Sequence, residues 1–251
     1  MTIKTAMILA AGLGTRMRPI TNTLPKPLVE VAGKPLIAYG LEALERLGVS
    51  SIVVNVHYLA PLLIDWLRAR PGPKIIISDE TAELLDSGGG IVKALPDLGT
   101  EPFLVLNADT FWLEDPQADI DNLASMTHRF DAESMDILVM TARLDQATGH
   151  TGAGDFTSDE QGRLTRFEGH GQPLIYAGAL ILNPAVFDAI SVPRFSINQC
   201  FDRAASAGRL FGAPMQGHWL TVGTPEAIGE AEAARTAFLA ARSADAGEPV
   251  Q

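Results

Sequence analysis

The chain has 251 residues, 47% of them hydrophobic, which is enough apolar material to fill a sizeable core. Its formal net charge of −11 excludes a general nucleic-acid or anionic-membrane binder. Residues 1–34 are the local exception, setting Lys4, Arg16, Arg18, Lys26 and Lys34 against the single acid Glu30. A small basic island on an acidic chain suits a compact anion such as a phosphate.

The first element is an apolar strand over 5–11, which stops at a loop holding Gly12, Gly14, Arg16 and Arg18. Lys4 ahead of an apolar stretch has the opening of a signal peptide. The glycines and Arg16 interrupt that stretch too early, and no run reaches transmembrane length. Pro35 to Leu47 carries apolar residues at helical spacing, with proline at the start where helices accept it. "SIVVNV" (51–56) reads as a strand, 60–70 as a helix and "KIIIS" (74–78) as a strand. "PFLVLNAD" (102–109) is apolar without interruption, as a strand buried on both faces must be. Strands alternating with helices indicate βαβ units and an α/β fold with a mainly parallel sheet.

The second half continues with a strand over 135–142, a hairpin over 152–169 turning at Asp159–Gly162, and a strand over 174–183. Helices are expected at 198–208 and 225–242, and 243–251 reads as a flexible tail behind a single domain spanning 1–242. Cys200 is the only cysteine, so no intramolecular disulfide forms and a reducing cytoplasm is the expected setting.

Ligands of open α/β sheets bind beyond the carboxyl ends of the strands, which is where the glycine loop lies. Gly12 and Gly14 let backbone approach a base or phosphate, and the Arg16 guanidinium can fork onto phosphate oxygens. The loop matches neither the dinucleotide fingerprint nor the phosphate loop ending in Gly-Lys-Ser/Thr. Further on, Pro25 and Pro27 flank Lys26 and present its ammonium on a stiff segment.

"LAAGLGTRMRP…PKPLVEVAGKPLI" resembles the signature of the sugar-1-phosphate nucleotidyltransferases. The likeness continues through "LLDSGGGIVKALP" (84–96), "LNADT" (106–110), "YAGALILNP" (176–184) and "HWLTVGTPEAIGEAE" (218–232). It implies a Rossmann-like fold with a small β-hairpin sugar-binding region. The reaction it implies joins a nucleoside triphosphate to a sugar 1-phosphate and releases pyrophosphate. The partners are then these small molecules, with no nucleic acid and no membrane, acting on a monomer or small homo-oligomer.

By the same resemblance Ala11, Gly12, Gly14 and Thr15 line the nucleotide, as do Ser87, Gly88 and Gly89. Gly88, Gly89 and Gly90 would admit the edge of the base, with helix following over Ile91–Leu95. Arg16 holds the triphosphate and Lys26 neutralises the α-phosphate or the sugar phosphate. Asn107, Glu168 and Gly178 face the sugar, and Asp109 matches the metal-binding aspartate of a Mg²⁺ enzyme. His57 either reaches the sugar or is structural.

Two positions depart from the family pattern. Glu168 is followed by Gly169, so a lysine usually found on the sugar phosphate is missing, leaving Arg166 or Lys26 to carry that charge. "WLTVGT" places Thr221 where the family has a second metal carboxylate. The compact length and the "LLDSGGGI" stretch are most similar to the subgroup that uridylylates N-acetylmuramate 1-phosphate in cell-wall recycling. Mannose- or heptose-1-phosphate guanylyltransferases are the alternative, and a non-catalytic nucleotide or sugar-phosphate sensor on the same fold is an alternative of another class.

Overall fold

The computed structural model describes residues 2–188, 190 and 192–245. β1 (Thr5–Leu9) is followed by the glycine loop and by a tight two-strand ribbon, β2 (Glu30–Val31) and β3 (Lys34–Pro35), which leads into α1 (Leu36–Leu47). Gly48, at φ 84°, ends that helix in the left-handed conformation that glycine adopts without strain. β4 (Ser51–Val56), α2 (Ala60–Ala69), β5 (Lys74–Asp79), α3 (Asp86–Leu98) and β6 (Phe103–Asn107) complete the alternating half. Next come β7 (Thr110–Leu113), α4 (Asn122–Arg129), β8 (Ile137–Arg143), β9 (Ala147–Thr148), β10 (Phe156–Ser158), β11 (Leu164–Arg166) and β12 (Leu174–Leu182). The chain continues with α5 (Asn198–Ser206), β13 (Leu210–Pro214), β14 (His218–Thr221) and α6 (Glu226–Asp245).

The central sheet is parallel across β5–β4–β1–β6, and β12 joins β6 antiparallel. β8 lies antiparallel on the far side of β12 with β13 parallel beyond it, and the β10–β11 hairpin attaches to the start of β12. This is the expected α/β architecture, with helices on both faces. Strand side chains alternate between the faces, so Ile8, Ile52, Val54 and Leu104 pack with α1 and α2. Met7, Val53, Phe103 and Val105 pack instead with Ile91 of α3 and Phe201 of α5. A third cluster joins Met17, Leu36, Phe111, Leu220 and Ala231 under α6.

The hairpin turns where expected, with Asp159 Oδ1 accepting the N–H groups of Gln161 and Arg163 and Gly162 at φ 83°. Several elements differ from the sequence expectation. β1 ends at Leu9 and β6 at Asn107, which frees Ala10–Ala11 and Ala108–Asp109 for the rim of the sheet. The α6 helix runs on to Asp245, while 246–251 of the expected tail lie outside the described residues.

The largest correction concerns 86–90. The helix expected from Ile91 already begins at Asp86, so this stretch is the first turn of α3. Gly88, Gly89 and Gly90 are buried, and a Cβ on Gly88 would run into the ring of Phe195 while one on Gly89 would meet the Pro193 carbonyl. Each helical glycine costs about 1 kcal/mol relative to alanine. Here the glycines let the segment 193–195 lie directly on the helix. Gly88→Ala should therefore overpack the Phe195 contact by about 1–3 kcal/mol and lower the melting temperature by roughly 2–8 °C. A thermal melt checks this, and an unchanged or raised midpoint would show that the ring is free to move away.

Candidate active site

The parallel register sets Leu9 beside Asn55 on one side and beside Asn107 on the other. Three strands thus end level, and a cavity of about 390 Å³ opens at their carboxyl rim. The glycine loop forms one wall, Leu84, Asp86 and Ser87 another, and Lys26, Asn107, Asp109 and Arg194 reach it from separate parts of the chain.

Gly14 sits at φ 61°, and a Cβ there would lie 3.1 Å from the Lys26 Cβ and 3.1 Å from Thr21 Cγ2. The loop therefore needs glycine both for its left-handed turn and for the close approach of the Lys26 segment. The Gly14 carbonyl accepts from the Met17 N–H at 2.9 Å and from the Thr21 hydroxyl at 2.8 Å. None of the backbone N–H groups of residues 11–16 donates to an acceptor among the described residues. Successive unpaired amides on a tight turn form a concavity suited to anions.

Lys26 opens a single 3-10 turn behind Pro25. Its Nζ lies 2.6 Å from Asp109 Oδ2, with the lysine side chain 12% exposed and the aspartate 35%. Asp109 leaves the end of β6, and its carbonyl accepts from the Val222 N–H at 3.1 Å. Thr221, opposite Thr110 in the β14–β7 pair, is thereby the next strand end beside Asp109. Arg16 is exposed, and its guanidinium lies 3.5 Å from where a Cβ on Gly223 would stand, just beyond Thr221. The structure thus gathers Ala11, Gly12, Lys26, Ser87, Asn107 and Asp109 on one cavity, with Gly14, Thr15, Arg16 and Thr221 on the adjoining segments.

Other expected residues serve elsewhere. The N–H groups of Gly88 and Gly89 donate to the Phe195 carbonyl at 2.9 and 3.2 Å, so packing and helix capping engage these glycines, and neither lines the cavity. Ser87 lines the cavity, but its Oγ accepts from the Ile197 N–H at 3.0 Å. Glu168 is exposed on the loop after β11 and does not line the cavity. Gly178 is buried at φ 76°, at the irregularity where β12 shifts register against β8, and a Cβ there would strike the Thr110 hydroxyl. Arg166 is committed: its Nε donates to Asp202 at 2.7 Å, its Nη2 to Asn198 Oδ1 at 2.9 Å, and it lies over the Phe156 ring. His57 donates from Nδ1 to the Glu80 carbonyl at 2.6 Å, the structural alternative of its two readings.

Two residues at or near the site, Arg194 and Tyr176, escaped the sequence reading. Arg194 lines the cavity and makes no hydrogen bond or ion pair among the described residues, so a cation stands where Arg166 does not. Asp86, also at the cavity, holds φ 64°, a strained backbone for a residue with a Cβ. The Tyr176 hydroxyl is buried without a hydrogen-bond partner among the described residues, and burial together with the Asp109 and Asp155 carboxylates pushes its phenol above the ordinary value, keeping it neutral. An arginine shortly before a helix was the one legible signal among these.

No cluster of three or more His, Cys, Asp or Glu able to cage a metal occurs among the described residues. The donor set nevertheless fits Mg²⁺, which takes one or two carboxylates and fills its shell with phosphate oxygens and water. Asp109 offers hard carboxylate oxygens at the cavity and Thr221 a neutral hydroxyl beside it.

A lysine paired with a strand-end aspartate beside the glycine loop suits the binding of phosphate groups. The chain belongs to the nucleotidyl transferase family, whose profile matches residues 5–237. It is 43% identical over 236 residues to the N-acetylmuramate alpha-1-phosphate uridylyltransferase of Caulobacter vibrioides, covering 92% of this chain and 96% of that one. It is 36% identical to the enzyme of the same name from Neisseria meningitidis serogroup B, covering 91% and 96%. Among solved structures, HddC from Yersinia pseudotuberculosis superposes with a TM-score of 0.72 at 25% identity, covering 92% of this chain and 99% of that one.

Proposed function

We propose that this chain joins UTP to N-acetylmuramate α-1-phosphate, giving the UDP-sugar and pyrophosphate. The Lys26–Asp109 pair facing the unpaired loop amides supports the reaction class, and the 43% identical uridylyltransferase supports the substrates. The reading places the enzyme in recycling of cell-wall sugars, in the cytoplasm where nucleoside triphosphates are made.

The chemistry asks little covalent work of the protein. A phosphate oxygen of the sugar phosphate attacks the α-phosphorus, a P–O bond forms, and the bond to the pyrophosphate oxygen breaks with its electron pair leaving on pyrophosphate. Negative charge builds on the α-phosphate oxygens, so catalysis is positioning plus charge neutralisation. The amides of 11–16 and the Arg16 fork hold the triphosphate. Lys26 turns its ammonium from Asp109 to the α-phosphate, and Arg194 offers a cation to the second phosphate. Asp109, with Thr221 on the neighbouring strand end, would hold Mg²⁺, which when bound would neutralise further charge on the phosphate oxygens.

Pyrophosphate release across a panel of UTP, GTP, CTP and dTTP with N-acetylmuramate 1-phosphate and mannose 1-phosphate tests this reading. UTP with N-acetylmuramate 1-phosphate should give the highest kcat/KM. A preference for GTP with a hexose 1-phosphate would move the chain to the guanylyltransferases, and no release with any pair would leave a binding protein.

The two cations should separate kinetically. Arg16→Ala should chiefly raise KM for the triphosphate, whereas Lys26→Ala should lower kcat by about two orders of magnitude, because its charge matters most where charge builds. Equal changes in both parameters for both variants would refute that division.

Asp109→Asn should lower turnover by roughly two orders of magnitude at saturating Mg²⁺ with an unchanged circular dichroism spectrum. With a single carboxylate the nucleotide-free protein should hold Mg²⁺ weakly, and Thr221→Asp should tighten that binding in a calorimetric titration. Tight binding by the wild type, unmoved by the substitution, would show that another acid has replaced the missing one.

A further inference from the structure

Glu80 is 1% exposed, yet no lysine, arginine or histidine pairs with its carboxylate among the described residues. Its oxygens accept from Asn55 Nδ2 at 2.8 Å and from the Leu85 N–H at 3.0 Å. Asn55, 3% exposed, turns its own Oδ1 to the Ala10 N–H at 2.7 Å. The two side chains therefore link a backbone donor at the start of the glycine loop to a backbone donor just before Asp86 and Ser87. These are two opposite walls of the cavity. α3 closes over the link only because residue 90 is glycine: a Cβ there would lie 2.7 Å from Glu80 Oε1 and 2.9 Å from Asn55 Nδ2.

We propose that Asn55 and Glu80 form a buried strut that sets the spacing of these walls, making both positioning residues for the nucleotide. The inference rests on the nucleotide reading of the cavity given above. Donor counting explains why the strut contains a charge. Both ends are N–H groups, so each side chain must commit one acceptor to the backbone. Two amide side chains would then face each other donor to donor. One amide and one carboxylate satisfy every group, which offsets the large cost of burying a carboxylate without a cation.

The same count predicts a rescue. In Glu80→Gln, whichever way the two amides are flipped, a donor faces a donor somewhere along the link. In the double variant N55D/E80Q, the carboxylate introduced at position 55 accepts from the Ala10 N–H and from the amide NH₂ introduced at position 80. The carbonyl oxygen of that same amide then accepts from the Leu85 N–H. The link is rebuilt with its charge moved to the other partner.

The experiment compares wild type, E80Q and N55D/E80Q by steady-state kinetics with UTP as the varied substrate and by amide hydrogen exchange at Ala10 and Leu85. E80Q should raise KM for UTP about tenfold, with a smaller change in kcat and faster exchange at one or both amides. The double variant should return KM to within about threefold of wild type, with exchange protection restored. A melting temperature lowered in E80Q with KM unchanged would reduce the pair to core packing. A double variant that does not fold, or is no better than E80Q, would overturn the strut. Should the wild type turn over no nucleoside triphosphate, the functional reading fails on its own. The exchange pattern then still decides the strut, which stands if E80Q loses protection and the double regains it, and falls otherwise.

Discussion

The register of β1 between β4 and β6 is the constraint on which the site is built. Side chains on one face of these strands run apolar through Met7, Val53 and Val105, then switch to Asn55 and Asn107 level with Leu9. A slip of one residue would turn both asparagines to the opposite face and leave apolar side chains at the rim. At this level side chains begin to take over from the ladder: the Ala10 N–H donates to Asn55, while those of Ala108 and Glu80 still donate to the carbonyls of Leu9 and Val56. The rim is a line of backbone groups held at defined heights, and the side chains that line the cavity are mounted on it. Lys26 reaches Asp109 across 83 residues of sequence because both are carried to the same edge.

The antiparallel strand β12 supplies the other side of the cleft. Gly178 adopts its left-handed conformation where β12 shifts register, allowing Thr110 to press against the strand immediately after Asp109. β7 then pairs with β14, which places Thr221 and the 222–223 turn against the Asp109 backbone and beneath Arg16. The C-terminal motif thus acts on the site through backbone pairing. Sequence distance conceals this, since the pairing joins segments more than a hundred residues apart.

Much of the fold was legible because its signals are local. The apolar runs of β1, β4 and β6, the helical spacing of α1 and the Asp159–Gly162 turn are properties of short stretches. The failures have physical reasons. β13, "LFGAP", holds a glycine and a proline and offers no clear strand signal, yet strand pairing with β8 carries it. α4 has few apolar residues, and only its cap, Asp121 accepting from Ala124 N at 2.7 Å, was available as a signal. The glycines of α3 fall before the expected helix because propensity counts their entropy and not the Phe195 segment they admit. At the site, residue types were readable and partners were not. Arg166 carries the right charge but is held by Asp202 and Asn198, while Arg194 has no such partner among the described residues. Asn55 stands in the family-like stretch 54–60 and lines the cavity, but nothing in the sequence joins it to Glu80, and only their shared burial does.

The replacement of the second metal carboxylate by Thr221 follows from the same balance of charge. Lys26 and Asp109 already neutralise one another at 2.6 Å, so without substrate the centre of the site presents little net attraction to a free cation. A further carboxylate would compete for Lys26 and hold it from the phosphate it must neutralise. On the proposed reading, the oxygens of a bound triphosphate would draw the ammonium away and leave the Asp109 oxygens available beside hard phosphate oxygens. Thr221 then contributes a hydroxyl without adding charge. On that reading, substrate and metal binding would be coupled through Lys26, whose ammonium is shared between Asp109 and an incoming phosphate.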